Sequence, residues 1–238
     1  VWYPSIDNIS TIQKAGIALD HSISRSNVYI DFVVSSYEKE ILSKTGIPFE
    51  ILIDDLSAFY KQRSIPANNR NFPLGSMQGN YTWDELNQRF EELKNLYPEI
   101  ISDKIVLGQS IEGNDLWAFK LSDNANIDEE EPEILYTGLT HSREPLSMMN
   151  LFYFVQNLCE GYQSNSDSEA SYLIDEREMW FIPVINPDGY LYNEQIEPNG
   201  GGMHRKNRRD TGCGPSTQRG VDLNRNFSFG WGVDDTGS

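Results

Sequence analysis

From Glu133 onward the chain reads EILYTGLT, then LSMMNLFYFVQNLCE, then, a little further on, MWFIPVI. The first and last are short, mostly apolar runs of the kind found in strands covered on both faces, and the middle one has the length and apolar spacing of a helix. Strands alternating with helices argue for an α/β domain on a largely parallel or mixed sheet. Pro145 is well placed as the first residue of the helix, and MWFIPVI runs into the turn Asn186-Pro187-Asp188-Gly189.

The same style of text begins at Tyr81. Thr82 and Glu85 form a capping box, after which Leu86, Phe90, Leu93 and Tyr97 share one face of a helix stopped by Pro98. KIVLGQ and DLWAFKLS read as strands separated by the turn-forming IEGN. DEEEPE at 128–133 reads as a solvated loop, because such a block repels itself elsewhere.

Residues 62–80, rich in Asn, Pro, Gly and Ser and without any period, read as a linker in which Arg63 and Arg70 offer points of proteolytic nicking. Before it, VYIDFVV alternates with Val28, Ile30, Phe32 and Val34 on one side. Ser35 and Glu38 make a capping box, Gly46 ends the helix that follows, and PFEILID alternates again. The expectation is a small strand-helix-strand α+β unit over 1–61, a linker over 62–80 and the larger α/β domain over 81–238.

Nineteen Lys and Arg against 36 Asp and Glu give a net charge of -17, which disfavours nucleic acid and anionic membranes as partners. No apolar run approaches the ~18 residues that cross a bilayer. Val1 is followed by no basic flank and apolar stretch, so a signal peptide is expected to have been removed or never present. Of the two cysteines, Cys159 falls in an apolar helical pattern and reads as a buried thiol, whereas Cys213 in TGCGPS is the better candidate for a bridge.

His141 and Glu144 lie in Thr140-His141-Ser142-Arg143-Glu144-Pro145, between a strand and a helix, where functional groups of α/β sheets gather. An imidazole and a carboxylate three residues apart suit zinc, although the pair taken alone is more simply an exposed loop. HRKNRR at 204–209 and GVDLNRNF at 220–227 add context. Six Lys or Arg between His204 and Arg225 face only Asp210 and Asp222, a local excess of +4 in a chain of -17. Such an excess fits either a nucleic-acid patch, which the overall charge opposes, or a pocket for a carboxylate and a developing oxyanion.

With YTWDEL, YPEI, GQSIEGN, THSREP, PVINPDGY, MHRKNRR and GVDLNRNF in this order, the stretch from about Tyr81 to Gly232 resembles the zinc metallocarboxypeptidases of the carboxypeptidase A/B and T type. The resemblance implies a three-layer α/β/α catalytic domain with a mixed twisted sheet, and residues 1–61 look like the prosegment of that family. It implies that His141 and Glu144 hold one zinc ion, that Arg208 polarises the scissile carbonyl, and that Asn224 and Arg225 bind the substrate's terminal carboxylate. Arg143 and Arg205 would line the neighbouring subsites, unless they are ordinary surface arginines.

By the same resemblance the third zinc ligand, a substrate-binding Tyr and the general-base Glu are expected past Ser238, and His204 is expected to be a surface or supporting histidine. His21 belongs to the prosegment-like unit. The implied function is a zinc carboxypeptidase precursor, secreted or extracytoplasmic, acting on peptide or protein C-termini and covered by its own N-terminal segment until the linker is cut. Two other readings are a non-catalytic protein that binds peptide C-termini without metal and a related zinc amidohydrolase.

Overall fold

Ser5 opens the chain's first helix, α1 (Ile6–Lys14), in a computed structural model that describes residues 1–2, 4–19, 22–56, 58–59, 72–212, 215, 217, 219–228 and 231. Its capping box uses Asn8 where Glu is usual. A short antiparallel hairpin follows, β1 (Ile23–Arg25) with β2 (Tyr29–Asp31). Ser35 and Glu38 then form the expected box, Glu38 N donating to Ser35 Oγ at 3.2 Å and Ser35 N to Glu38 Oε2 at 2.8 Å, and α2 (Ser36–Lys44) begins. Gly46, at φ 73°, ends it. Ile12, Ile17, Leu42 and Ile47 are buried together, with Phe32, Val34 and Phe49 packed against them.

This unit is helix, hairpin, helix, not the strand-helix-strand expected. PFEILID forms no strand, and Ile51, Leu52 and Ile53 are 46%, 60% and 42% exposed. Alternation makes a strand only where an edge offers hydrogen bonds, and the hairpin pairs β2 with β1 instead. Of the segment read as linker, residues 62–71, with Arg63 and Arg70, lie outside the described residues, as do His21 and Cys213. Residues 72–80 fold into a tight loop on the larger core, burying Met77 and setting Phe72 against Tyr81 and Tyr153.

Thr82 and Glu85 close their capping box, Glu85 N donating to Thr82 Oγ1 at 3.1 Å, and start α3 (Trp83–Leu96). IEGN turns β3 (Ile105–Gln109) into β4 (Asp115–Leu121). Next come β5 (Glu133–Thr137), α4 (Leu146–Gln163), α5 (Ser168–Asp175), β6 (Glu178–Ile182) and α6 (Pro187–Ile196). The sheet order is β3-β4-β6-β5, antiparallel except for the β5–β6 pair, which is parallel. This is a mixed α/β fold on a mixed sheet.

Phe119 of β4 shows how the layers join: its ring lies 5.2 Å from Phe90 of α3, 6.4 Å from Phe152 of α4 and 5.2 Å from Phe181 of β6. Each such fully buried ring contributes roughly 1.5–3 kcal/mol. Cys159 is buried in the same core as a free thiol, and burial, then the Glu160 charge, pushes it up to about 12.

Three expectations for this half change. β5 is an edge among the described strands, so Leu135 is 61% exposed where cover on both faces was expected. Asn186-Pro187-Asp188-Gly189 is the first turn of α6: Asn186 caps it, accepting from Gly189 N at 3.1 Å, and Pro187 supplies the N-terminal position that lacks an N–H. The acidic run is only partly solvated, with Glu129 and Glu131 half-buried. Among the described residues no helix is long and apolar enough to cross a membrane.

Candidate active site

The loop leaving β5 is tied to itself. Leu139 N donates to Ser147 Oγ at 2.9 Å, Ser147 Oγ donates to Glu144 O at 2.8 Å, and Glu144 N donates to His141 O at 3.1 Å. The resulting turn brings His141 Nδ1 to 3.1 and 3.2 Å from the two Glu144 oxygens. His141 is 3% exposed, whereas the Glu144 side chain is 41% exposed.

On the other side, His141 Nε2 lies 3.2 Å from Asp222 Oδ1, and Arg205 Nε donates to Asp222 Oδ2 at 2.6 Å. Burial alone would raise the Asp222 carboxyl, but hydrogen bonds from His141 and Arg205 and the Arg205 charge hold it well below the usual carboxylate range. In the neutral tautomer whose Nε2–H donates to Asp222, Nδ1 turns a lone pair toward the Glu144 carboxylate, a pairing that repels unless a cation is shared. Two ligand atoms of a tetrahedral zinc at ~2.0–2.1 Å sit about 3.3 Å apart, close to the separation found, and a carboxylate behind the imidazole is the usual support for such a ligand. The residues fit zinc. Among the described residues no third His, Cys, Asp or Glu completes a group of three with this pair.

The basic segment is laid against this loop by α6. Asn193 Nδ2 donates to Ser142 O at 3.0 Å and to His204 O at 2.8 Å, while His204 N donates to Asn193 Oδ1 at 2.8 Å. Ser142 adds two contacts, its N to Arg205 O at 3.2 Å and its Oγ to His204 O at 2.6 Å. The three backbones meet at Gly189, where an added Cβ would stand 2.4 Å from Lys206 O and 2.6 Å from Ser142 Oγ. Replacing Gly189 with Ala is therefore expected to cost about 1–3 kcal/mol and lower the melting midpoint by about 2–12 °C. A circular-dichroism melt unchanged from the parent would contradict the close approach.

Segments 204–209 and 220–225 are then paired, Asn207 N donating to Val221 O at 3.1 Å and Val221 N to Asn207 Oδ1 at 2.8 Å. Gly220, at φ 124°, permits it, since a Cβ there would fall 1.9 Å from Asn207 O. This pairing delivers Asp222 to His141. Asp222 also caps a single 3-10 turn, Leu223–Arg225, accepting from Asn224 N at 2.9 Å. Asn224 is exposed, and the half-buried Arg225 donates from Nη1 to Asn224 O at 2.8 Å. Arg143 is half-buried in the His141 loop.

Arg208 is 7% exposed, with its guanidinium 3.6 Å from the centre of the Tyr192 ring and its Nε 3.9 Å from Glu112 Oε1. Glu112 also binds Arg219 at 3.0 Å. Asp188 holds the turn that carries Glu112, accepting from Glu112 N at 3.1 Å, from Asn114 Nδ2 at 2.8 Å and from Ser110 Oγ. Arg208 Nη1 is buried and has no acceptor among the described residues. Burial, then the Arg219 charge, draws this guanidinium's pKa below its ordinary value.

His204 also packs edge-on against Tyr192, ring centres 5.0 Å apart, with Nε2 at 3.2 Å from Asn207 O. Burial, helped by the Arg208 and Lys206 charges, lowers its pKa to about 4. Because the unfolded chain protonates this group near 6.5 and the folded one near 4, His204 makes stability fall as pH drops through that window. The loss amounts to about 3 kcal/mol at most. Urea midpoints at pH 7 and pH 4.5 should differ less in His204→Gln than in the parent; an equal difference would remove His204 from the account.

Of the sequence-derived candidates, the structure brings His141, Glu144 and Arg205 into one contact chain, and places Asn224 and Arg225 just beyond its Asp222 link. Asp222, Asp188 and Tyr192 were not singled out. An Asp two residues before Asn-Arg and the Asp of NPDG were available signals; nothing in the sequence marked Tyr192.

Over residues 86–238 the chain matches the zinc carboxypeptidase family, and it belongs to that family. A zinc carboxypeptidase of Saccharothrix mutabilis subsp. capreolus is 36% identical over 166 residues, 70% of this chain and 36% of that protein. An inactive metallocarboxypeptidase of Saccharomyces cerevisiae is 28% identical over 244 residues, 94% of this chain and 52% of that protein. In fold, the crystal structure of carboxypeptidase A from Helicoverpa armigera is similar at a TM-score of 0.70 and 22% identity, over 96% of this chain and 56% of that one. The chain thus spans less than two thirds of the length of each of these proteins.

Proposed function

We propose that this protein is a zinc-dependent carboxypeptidase that removes the C-terminal residue of peptides. The observation that carries the reading is the His141–Glu144 pair, with Nδ1 and a carboxylate oxygen 3.1 Å apart and Asp222 at 3.2 Å from the other ring nitrogen. Zinc held there supplies Lewis-acid polarisation of a carbonyl and activation of water.

The chain's own residues supply contacts to the substrate and to the charge that develops on it. Asn224 and Arg225 take the substrate's terminal carboxylate, for which a forked guanidinium beside an amide is suited. Arg208 directs its spare Nη1 donor at the scissile carbonyl and holds the charge that develops there. Asp222 keeps His141 in the required tautomer, and Arg205 holds Asp222. Arg143 borders the next subsite.

Residues 1–61, with an apolar cluster of their own, would act as an intramolecular cover, with cleavage in the linker ahead of the core-packed residues 72–80 and with 81–238 as catalytic domain. An extracytoplasmic location goes with this reading. Full activity in the uncut chain would sink the cover.

The deciding assay follows release of the last residue from N-blocked dipeptides, with and without a chelator. Release that stops on chelation, returns with zinc and is lost in Glu144→Gln supports the proposal. The inactive yeast relative makes the competing outcome concrete: zinc-independent capture of peptides with free C-termini, and no release, would make this a binding protein.

A further inference from the structure

Arg219 entered the sequence reading only as one charge of the basic excess, and the proposed reaction assigns it no role. It stands one residue before Gly220, where segment 220–225 pairs with 204–209, so the pairing that delivers Asp222 to His141 also carries Arg219 toward Arg208. Both guanidinium groups turn to the same oxygen. Glu112 Oε1 lies 3.0 Å from Arg219 Nη2 and 3.9 Å from Arg208 Nε.

One carboxylate shared by two guanidinium groups leaves one positive charge unmatched. Asp188, next along the same chain of bonds, is buried, and its oxygens are taken by Ser110, Asn114 and the Glu112 backbone. Among the described residues neither arginine has an ion-pair partner other than Glu112. Arg208 Nη1 and Arg219 Nε are both buried with no acceptor among the described residues. Burial, and after it the Arg219 charge, draws the Arg208 pKa down, the effect of two like charges held close together. Arg208 is buried, whereas the Arg219 side chain is 34% exposed, so Arg219 is the member of the pair that a solute can reach.

The place of this charge decides what it selects. In the proposed reaction, on which this inference rests, Arg208 addresses the carbonyl of the bond that is cut. That carbonyl belongs to the penultimate residue of the substrate, so a group beside Arg208 stands beside that residue. A guanidinium there matches a carboxylate side chain, whose two oxygens fit its forked donors. We propose that Arg219 is a specificity-determining residue that favours peptides with Asp or Glu in the penultimate position, the substrate's carboxylate displacing Glu112 from Arg219. Penultimate Lys or Arg is disfavoured by the same charge.

The test compares two N-blocked dipeptides that share a C-terminal residue and carry either Glu or Gln before it, on the whole zinc-loaded chain. The Glu peptide should be favoured about five- to tenfold in kcat/KM, and less so at about 1 M salt, which screens exposed charges. Arg219→Gln should level the two peptides, and Glu112→Gln, at an exposed position, should widen the gap by removing the competing carboxylate. Equal rates in the parent, or a preference that survives in Arg219→Gln, would overturn the proposal. Calorimetric binding of the same two peptides needs no turnover. In a chain that releases nothing, tighter binding of the Glu peptide that is lost in Arg219→Gln would leave Arg219 in its role and count only against the proposed reaction. Equal or absent binding there would overturn the proposal as well.

Discussion

Replacing Arg208 with Ala should lower kcat by about 10²–10³ with little change in KM, the pattern left when a donor acts chiefly on transition-state charge. The expectation rests on the setting of the guanidinium. The centre of the Tyr192 ring lies 3.6 Å from it, Glu112 holds one edge, and Nη1 has no acceptor among the described residues. Arg208→Lys keeps the charge but not the fork or the stacking, and should recover only part of the loss. Tyr192→Leu should lower kcat by about tenfold without touching substrate, since a cation over an aromatic face gains about 0.5–2 kcal/mol of hold. Steady-state kinetics on a blocked dipeptide, with a melt to show folding, checks all three. A rise in KM at unchanged kcat in Arg208→Ala would make Arg208 a ground-state binding group.

Asp222→Ala should be the most damaging substitution for stability. It takes the Asp222 carboxylate away from the buried Arg205 guanidinium and from His141 Nε2, and breaking a buried pair from one side costs about 3–5 kcal/mol. The melting midpoint should fall by about 10 °C. Zinc affinity should fall about 10–100-fold, as when the group behind a metal-binding histidine is removed. Asp222→Asn preserves shape and one acceptor, so it should fold nearly as well yet still bind zinc more weakly. Competition with a chromogenic chelator measures the second effect, and unchanged affinity in the Asn variant would show that Asp222 serves folding alone.

What could be read beforehand followed the range of the interactions. Ser35 with Glu38 and Thr82 with Glu85 are three-residue devices, visible as letters and found as drawn. The equivalent at Ser5 escaped notice because Asn8 stands where Glu is expected. PFEILID has a strand's alternation, but pairing is a property of two segments and only one was in view. NPDG is spelled alike as a turn and as a capped helix start.

The site divides in the same way. His141 and Glu144, three residues apart, could be paired on paper. Asp222 lies 81 residues from His141 and was counted only as a charge against the basic excess.

The tip of a β-hairpin is ordinarily where a chain best accepts a tag, a dye or an inserted domain. The tip between β3 and β4 is a poor choice here. Ser110, Glu112 and Asn114 all converge on Asp188, and Glu112 in turn reaches Arg208, so an added residue would displace an arginine two elements away. A reporter belongs on the exposed stretch around Asn165 between α4 and α5, where the backbone already turns through φ 49° and, among the described residues, no such tether leads inward to the basic segment.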